Sequence, residues 1–217
     1  MPYRRTEAVV RRLAERERTI LAAATAIAAE HGMAAVQIAG VAERAQIAAG
    51  TVYRYFPSKS ELVAELIGSV AADELEAMTA AADAAPGPLS ALAAGIATFA
   101  ARMLQRRRLA WAVLAEPTDA AVDASRLDFR QSLAAELEAR IRAAIAGGHL
   151  PDQDARAAAP AIIGALTEGL IGPLAPSPGA EPGATRATVQ DATLLCLRAL
   201  GVIDARARGL VAQVRLP

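Results

Sequence analysis

The side chains best equipped for chemistry fall in one short run, Gly50-Thr51-Val52-Tyr53-Arg54-Tyr55-Phe56. Thr51, Tyr53 and Tyr55 bring hydroxyls and Arg54 a guanidinium, groups that hydrogen-bond phosphate oxygens and base edges. Val52 and Phe56 lie one helical turn apart and are expected to face a core. Enzymatic chemistry finds no comparable constellation. The two histidines, His31 and His149, each adjoin a glycine in turn-like contexts, with no nucleophile or metal partner nearby. Cys196 is the single cysteine, so neither an intrachain disulfide nor a zinc spacing exists. The sequence therefore offers no catalytic residue, no metal ligand and no cofactor motif, and a small helical enzyme is the weakest of the readings.

Elements that could hold the Tyr-rich run in place are easy to find. The chain is 54% hydrophobic but 3% aromatic, with alanine carrying much of the apolar count. Such composition favours helix, no alternating strand pattern appears, and the expected fold class is all-α. Periodicity predicts a helix over 19–30, stopped at His31-Gly32, where glycine tolerates the positive φ of a C-cap. Short helices follow over 38–45 and 48–55, and Pro57 closes the second of these. Ser58-Lys59-Ser60-Glu61 has the form of a capping box and opens a long fourth helix. Three helices followed by a long rod is a helix-turn-helix layout. Further helices are expected over 89–105, around Trp111, over 120–146, over 155–172 with Pro160 kinking it or delaying its start, and over 185–202. The Pro- and Gly-rich stretch 172–184 reads as a loop. The expected organisation is a basic segment over 1–17, either a mobile arm or a solvated helical extension, a helix-turn-helix domain over 18–60, a helical body over 61–205, and a tail over 206–217.

Charge is distributed to match. The formal net charge is zero, yet residues 1–60 hold nine basic and five acidic side chains. A basic end on an acidic body suits a chain that meets phosphate with one end only. No apolar run is long enough to span a bilayer and no secretory signal pattern opens the chain, so a soluble, cytoplasmic protein without membrane contact is expected.

Residues 41–67, VAERAQIAAGTVYRYFPSKSELVAELI, resemble the DNA-binding signature of the TetR family, and a wider similarity covers 18–70. The shared positions include Ala42, Ala45, Gly50, Thr51, Tyr53, Tyr55, Phe56, Ser58 and Lys59. The resemblance implies phosphate contacts from Gln37, Tyr53, Tyr55 and Lys59, and base or near-base contacts from Ala49, Gly50, Thr51 and Arg54. Arg4, Arg5, Arg11 and Arg12 either reach the minor groove or form a solvated charged face with Glu7 and Glu15. The chain departs from the family pattern at Gln37 and Ala48, which remove usual helix caps, at Ala49 in place of a polar neighbour, at Gln46 in place of the turn glycine, and at Ala28 in place of a core Phe.

The same resemblance implies a DNA-binding domain over 18–60 and a ligand-binding and dimerisation domain over 61–205, in a ligand-released repressor acting as a homodimer on pseudo-palindromic operator DNA. A ligand-independent activator or architectural protein is the alternative. The last two long helices would dimerise, with Ala155, Ala159, Gly164 and Gly169 as small residues and Leu166, Leu170, Leu194, Leu197 and Leu200 as apolar area. Candidate residues for a small-molecule effector are Phe99, Met103, Trp111 and Phe129, each of which also suits a plain core, and Glu168, which also suits an arginine partner or the bundle edge. Arg126 and Arg130 lie four apart and either reach a carboxylate or, the favoured reading, form a salt-bridged surface.

Overall fold

The computed structural model describes residues 7–117, 120–177, 179, 181 and 183–216. All regular structure among them is helical. The order is α1 (Glu7–His31), a single 3-10 turn (Met33–Ala35), α2 (Ile38–Arg44), α3 (Ala49–Tyr55), α4 (Lys59–Asp83), α5 (Pro88–Gln105), α6 (Arg107–Leu114), α7 (Ala120–Ala146), α8 (Ala155–Leu170), α9 (Ala184–Ala199) and α10 (Asp204–Gln213). Residues 9–17 continue α1 as a helix whose charged side chains are mostly exposed, the solvated extension rather than the mobile arm of the two sequence readings. The tail differs from expectation, because α10 packs on α5 and α9. Helix α8 starts at Ala155 and contains Pro160, which is exposed, so the proline does not delay its start.

The first three helices are held by a stripe on α1, Ile20, Ala23, Ala24, Ile27 and Ala28, all buried. Helix α1 ends where Gly32 takes φ +85°, a left-handed conformation that glycine adopts without steric cost. Helix α2 ends in a Schellman motif: the Gln46 amide donates to Glu43 O and the Ile47 amide to Ala42 O, both at 3.0 Å. The left-handed residue of that motif is Gln46, with φ +54°, the one non-glycine of positive φ among the described residues. Neither α2 nor α3 has a side-chain cap, as the sequence departures at Gln37 and Ala48 imply.

Helix α4 starts from Ser58, whose Oγ accepts the Glu61 amide at 3.1 Å. The Glu61 carboxylate receives the Ser58 hydroxyl at 3.2 Å, so the two side chains meet each other and one orphan amide is capped rather than two. Helix α5 is buried over most of its surface and is the central strut of the body, packed on α4, α7 and α9. One continuous apolar cluster runs from Ile20 in α1 to Val211 in α10, so the N-terminal helices and the body share a core.

Candidate nucleic-acid interface and effector cavity

Helix α3 presents two faces. Val52 is fully buried and Phe56, just beyond the helix, is 5% exposed. Their burial turns Ala49, Gly50, Tyr53 and Arg54 outward, all exposed, while Thr51 and Tyr55 lie at the boundary. The Arg54 guanidinium lies 5.7 Å from the centre of the Tyr55 ring, within range of a cation–π contact. Lys59 is half-buried at the first turn of α4, beside the end of α3. Gln37 is exposed and its amide donates to Ala34 O at 3.0 Å. Arg11 and Arg12 are exposed on α1, with Arg11 no closer than 4.0 Å to Glu15. Arg4 and Arg5 fall outside the described residues. The helix-turn-helix is braced from α1, where Arg44 of α2 pairs through two nitrogens with the Glu30 carboxylate. That pairing holds the Glu30 carboxyl below its ordinary range.

A second brace comes from the body. Helix α6 packs on α1, and just beyond α6 the Glu116 carboxylate accepts the Met33 amide at 2.8 Å. The same carboxylate lies so close to Gly32 that a Cβ there would meet it at 2.9 Å. Gly32 thus serves a turn and a close approach at once. Helix α6 is itself anchored by Arg126, which is buried on α7 and donates to Ala112 O at 2.6 Å. The sequence reading placed Arg126 on a charged surface with Arg130. Only Arg130 is exposed; Arg126 turns inward because the carbonyls of the last turn of α6 lack amide partners and attract a cation.

Helices α4, α5, α6 and α7 meet around a cavity of about 20 Å³, room for a water molecule and little more. Phe99, Met103 and Phe129 line it. Trp111 does not, although Leu109, Ala110, Val113 and Leu114 of the same helix do. Glu168 is exposed on α8 and its carboxylate folds back over Gly172, away from the cavity. Sequence reasoning missed the charged rim, made of Glu74, Arg102 and Arg106. Arg102 donates to both oxygens of Glu74, at 2.6 and 3.0 Å, and this pairing raises the Arg102 pKa.

The outer face of α8 and α9 carries Gly164, Ala165, Gly169 and Leu195, with Leu195 59% exposed. Ala155, Ala159, Leu166, Leu170, Leu194, Leu197 and Leu200, expected from sequence to face a partner, are all buried within the protomer. Leu197 is fully enclosed. The periodic leucines of α9 are used by α5 and α8, and only the flank one residue away is left outside.

The family model for bacterial regulatory proteins of the tetR family matches residues 20–66, from the buried stripe of α1 to the second turn of α4. Over these residues the chain is similar to the N-terminal DNA-binding domain of that family. The HTH-type transcriptional repressor KstR of Mycolicibacterium smegmatis is 54% identical over 54 residues, covering 25% of this chain and 26% of that protein. KstR of Mycobacterium tuberculosis is 52% identical over 54 residues, or 25% and 24% of the two chains. The chain thus aligns with about a quarter of the length of the curated relatives it matches. Beyond these N-terminal residues the similarity is one of fold. The structure of RolR with resorcinol has a TM-score of 0.68 at 19% identity, covering 96% of this chain and 98% of its own. FadR of Bacillus subtilis with stearoyl-CoA has a TM-score of 0.72 at 19% identity, covering 86% and 98%.

Proposed function

We propose that this protein is a TetR-family transcriptional repressor that binds operator DNA through α3 and leaves it when a small molecule enters the body. The observation that carries the reading is the coincidence of the family match over residues 20–66 with an outward α3 face that keeps Tyr53, Arg54 and Lys59 near its edge. In this reading residues 18–60 read DNA and residues 61–205 bind the effector and a second protomer. Tyr53, Tyr55, Lys59 and Gln37 hold phosphates. Ala49, Gly50, Thr51 and Arg54 approach base edges, where alanine offers only apolar contact with thymine methyls. Dimerisation uses the outer face of α8 and α9, where Gly164, Ala165 and Gly169 let a helix approach and Leu195 supplies apolar area. Two copies of α3 related by a two-fold axis require a pseudo-palindromic site with half-sites roughly 34–36 Å apart. The effector site lies between α4 and α7, in keeping with neighbours of the same fold that were solved with resorcinol and with stearoyl-CoA.

The test is operator selection from random duplexes, followed by binding at several salt concentrations. Lys59→Ala is expected to weaken binding to all sequences and to flatten the salt slope by about one unit per half-site. Arg54→Ala is expected to change the selected motif. An unchanged motif with Arg54→Ala and Thr51→Ala would remove those residues from base reading, and failure to select any duplex would end the DNA-binding proposal.

A further inference from the structure

The cavity between α4 and α7 is apolar except along one rim. That rim carries Glu74 on α4, Arg102 on α5 and Arg106 at the α5–α6 junction. Glu74 and Arg102 satisfy each other through two hydrogen bonds. Asp73 also acts on Arg102, but it is exposed and does not line the cavity. Arg106 remains. It is one turn beyond Arg102, exposed, and its guanidinium has no ion-pair partner among the described residues. The lining therefore carries one excess positive charge at the edge of an apolar interior.

We propose that the effector is an apolar molecule bearing a single carboxylate, seated with its apolar body among Phe99, Met103, Val113 and Phe129 and its carboxylate on Arg106. The proposal rests on reading the protein as a ligand-released regulator. A guanidinium presents paired donors that match the two oxygens of a carboxylate. A neutral apolar molecule would gain nothing from Arg106, and a cation would be repelled by it. A second anionic group would find no further unpaired cation in the lining, because Arg102 is already neutralised by Glu74. The space of about 20 Å³ also means that entry must part the surrounding helices. Glu74–Arg102 is the polar tie between α4 and α5 at that point. A ligand seated on Arg106 that parts α4 from α5 strains this tie and loosens α4, the helix that follows directly from α3. The ligand thereby gains the differential affinity for an opened state that any release mechanism requires.

The experiment is calorimetric titration of the intact protein with octanoate, decanoate and dodecanoate, each against the matching n-alkanol, below micellar concentrations. The acids are expected to bind at least about tenfold tighter than the alcohols, about 1.4 kcal/mol. In Arg106→Gln the acid should weaken to the affinity of the alcohol. Equal binding of acid and alcohol by the native protein, binding of neither series, or an acid preference that survives Arg106→Gln would overturn the proposal. Operator affinity measured in the same titrations separates the two readings. Arg106-dependent acid binding with no loss of operator affinity refutes ligand release and leaves the ligand class standing. Release by the acids without dependence on Arg106 refutes the ligand class alone.

Discussion

Replacing Gln46 by glycine should make this protein more stable. Gln46 is exposed, holds φ +54°, and makes no side-chain hydrogen bond among the described residues, so truncation removes no interaction. An L-residue in the left-handed region costs about 1–2 kcal/mol through its Cβ. Glycine avoids that cost but brings a more flexible unfolded chain, worth about 0.5–1 kcal/mol against it. The difference is a gain of up to about 1.5 kcal/mol, centred on about 0.75 kcal/mol, and for a chain of this size a central rise in Tm of about 2–3 °C. Gln46→Ala keeps the Cβ and should lie within about 0.5 kcal/mol of the native protein. Gln46→Val places a β-branched side chain at positive φ and should be the least stable of the set. Thermal unfolding followed by circular dichroism reads all three. The Gln46 and Ile47 amides that close α2 are backbone donors and survive each change, so α3 keeps its angle and operator affinity should hold in Gln46→Gly. If glycine proves no more stable than alanine at this site, the assignment of strain to Gln46 is wrong.

Three further outcomes are expected. Leu195→Glu should yield folded monomers by light scattering, whereas Leu197→Glu places a charge in the closed interior and should unfold the protomer before any effect on assembly is seen. Glu116→Ala leaves the Met33 amide without its acceptor in a part-buried setting, and should cost about 1–3 kcal/mol in chemical denaturation. Burial pushes the Cys196 thiol up to about 12, so it stays protonated at neutral pH and iodoacetamide should label it only after denaturant is added; labelling of the native protein would contradict its burial.

Local signals were readable where they act over a turn or less. Gly32, Pro57 and Ser58 mark helix ends by their own backbone or side-chain chemistry; α2 and α3 begin and end, and α4 begins, within a residue or so of expectation. Val52 and Phe56 face inward as their spacing implies. Helix α10 was not legible, because its polar composition carries no clear apolar stripe and only Ala207 and Val211 are buried. The cavity rim was hidden for a different reason. Glu74 and Arg102 are 28 positions apart, and Glu116 and Met33 are 83 apart, so their pairing exists only once helices pack. The leucines of α9 misled in the opposite sense: the pattern shows that a helix must bury much of its girth, but not whether its own chain or another supplies the cover.

The Glu116 contact bears on how such regulators diverge or can be recombined. The head and the body do not meet through a passive hinge. A carboxylate from the loop after α6 occupies the space that a side chain at position 32 would need, and it terminates the backbone of the 3-10 turn. Grafting residues 1–60 onto a foreign body would therefore leave an amide without an acceptor and a cleft under the turn. Exchange is expected to succeed only between parents that bring both halves of this joint: a glycine at the end of α1, and an acid of the right reach after α6.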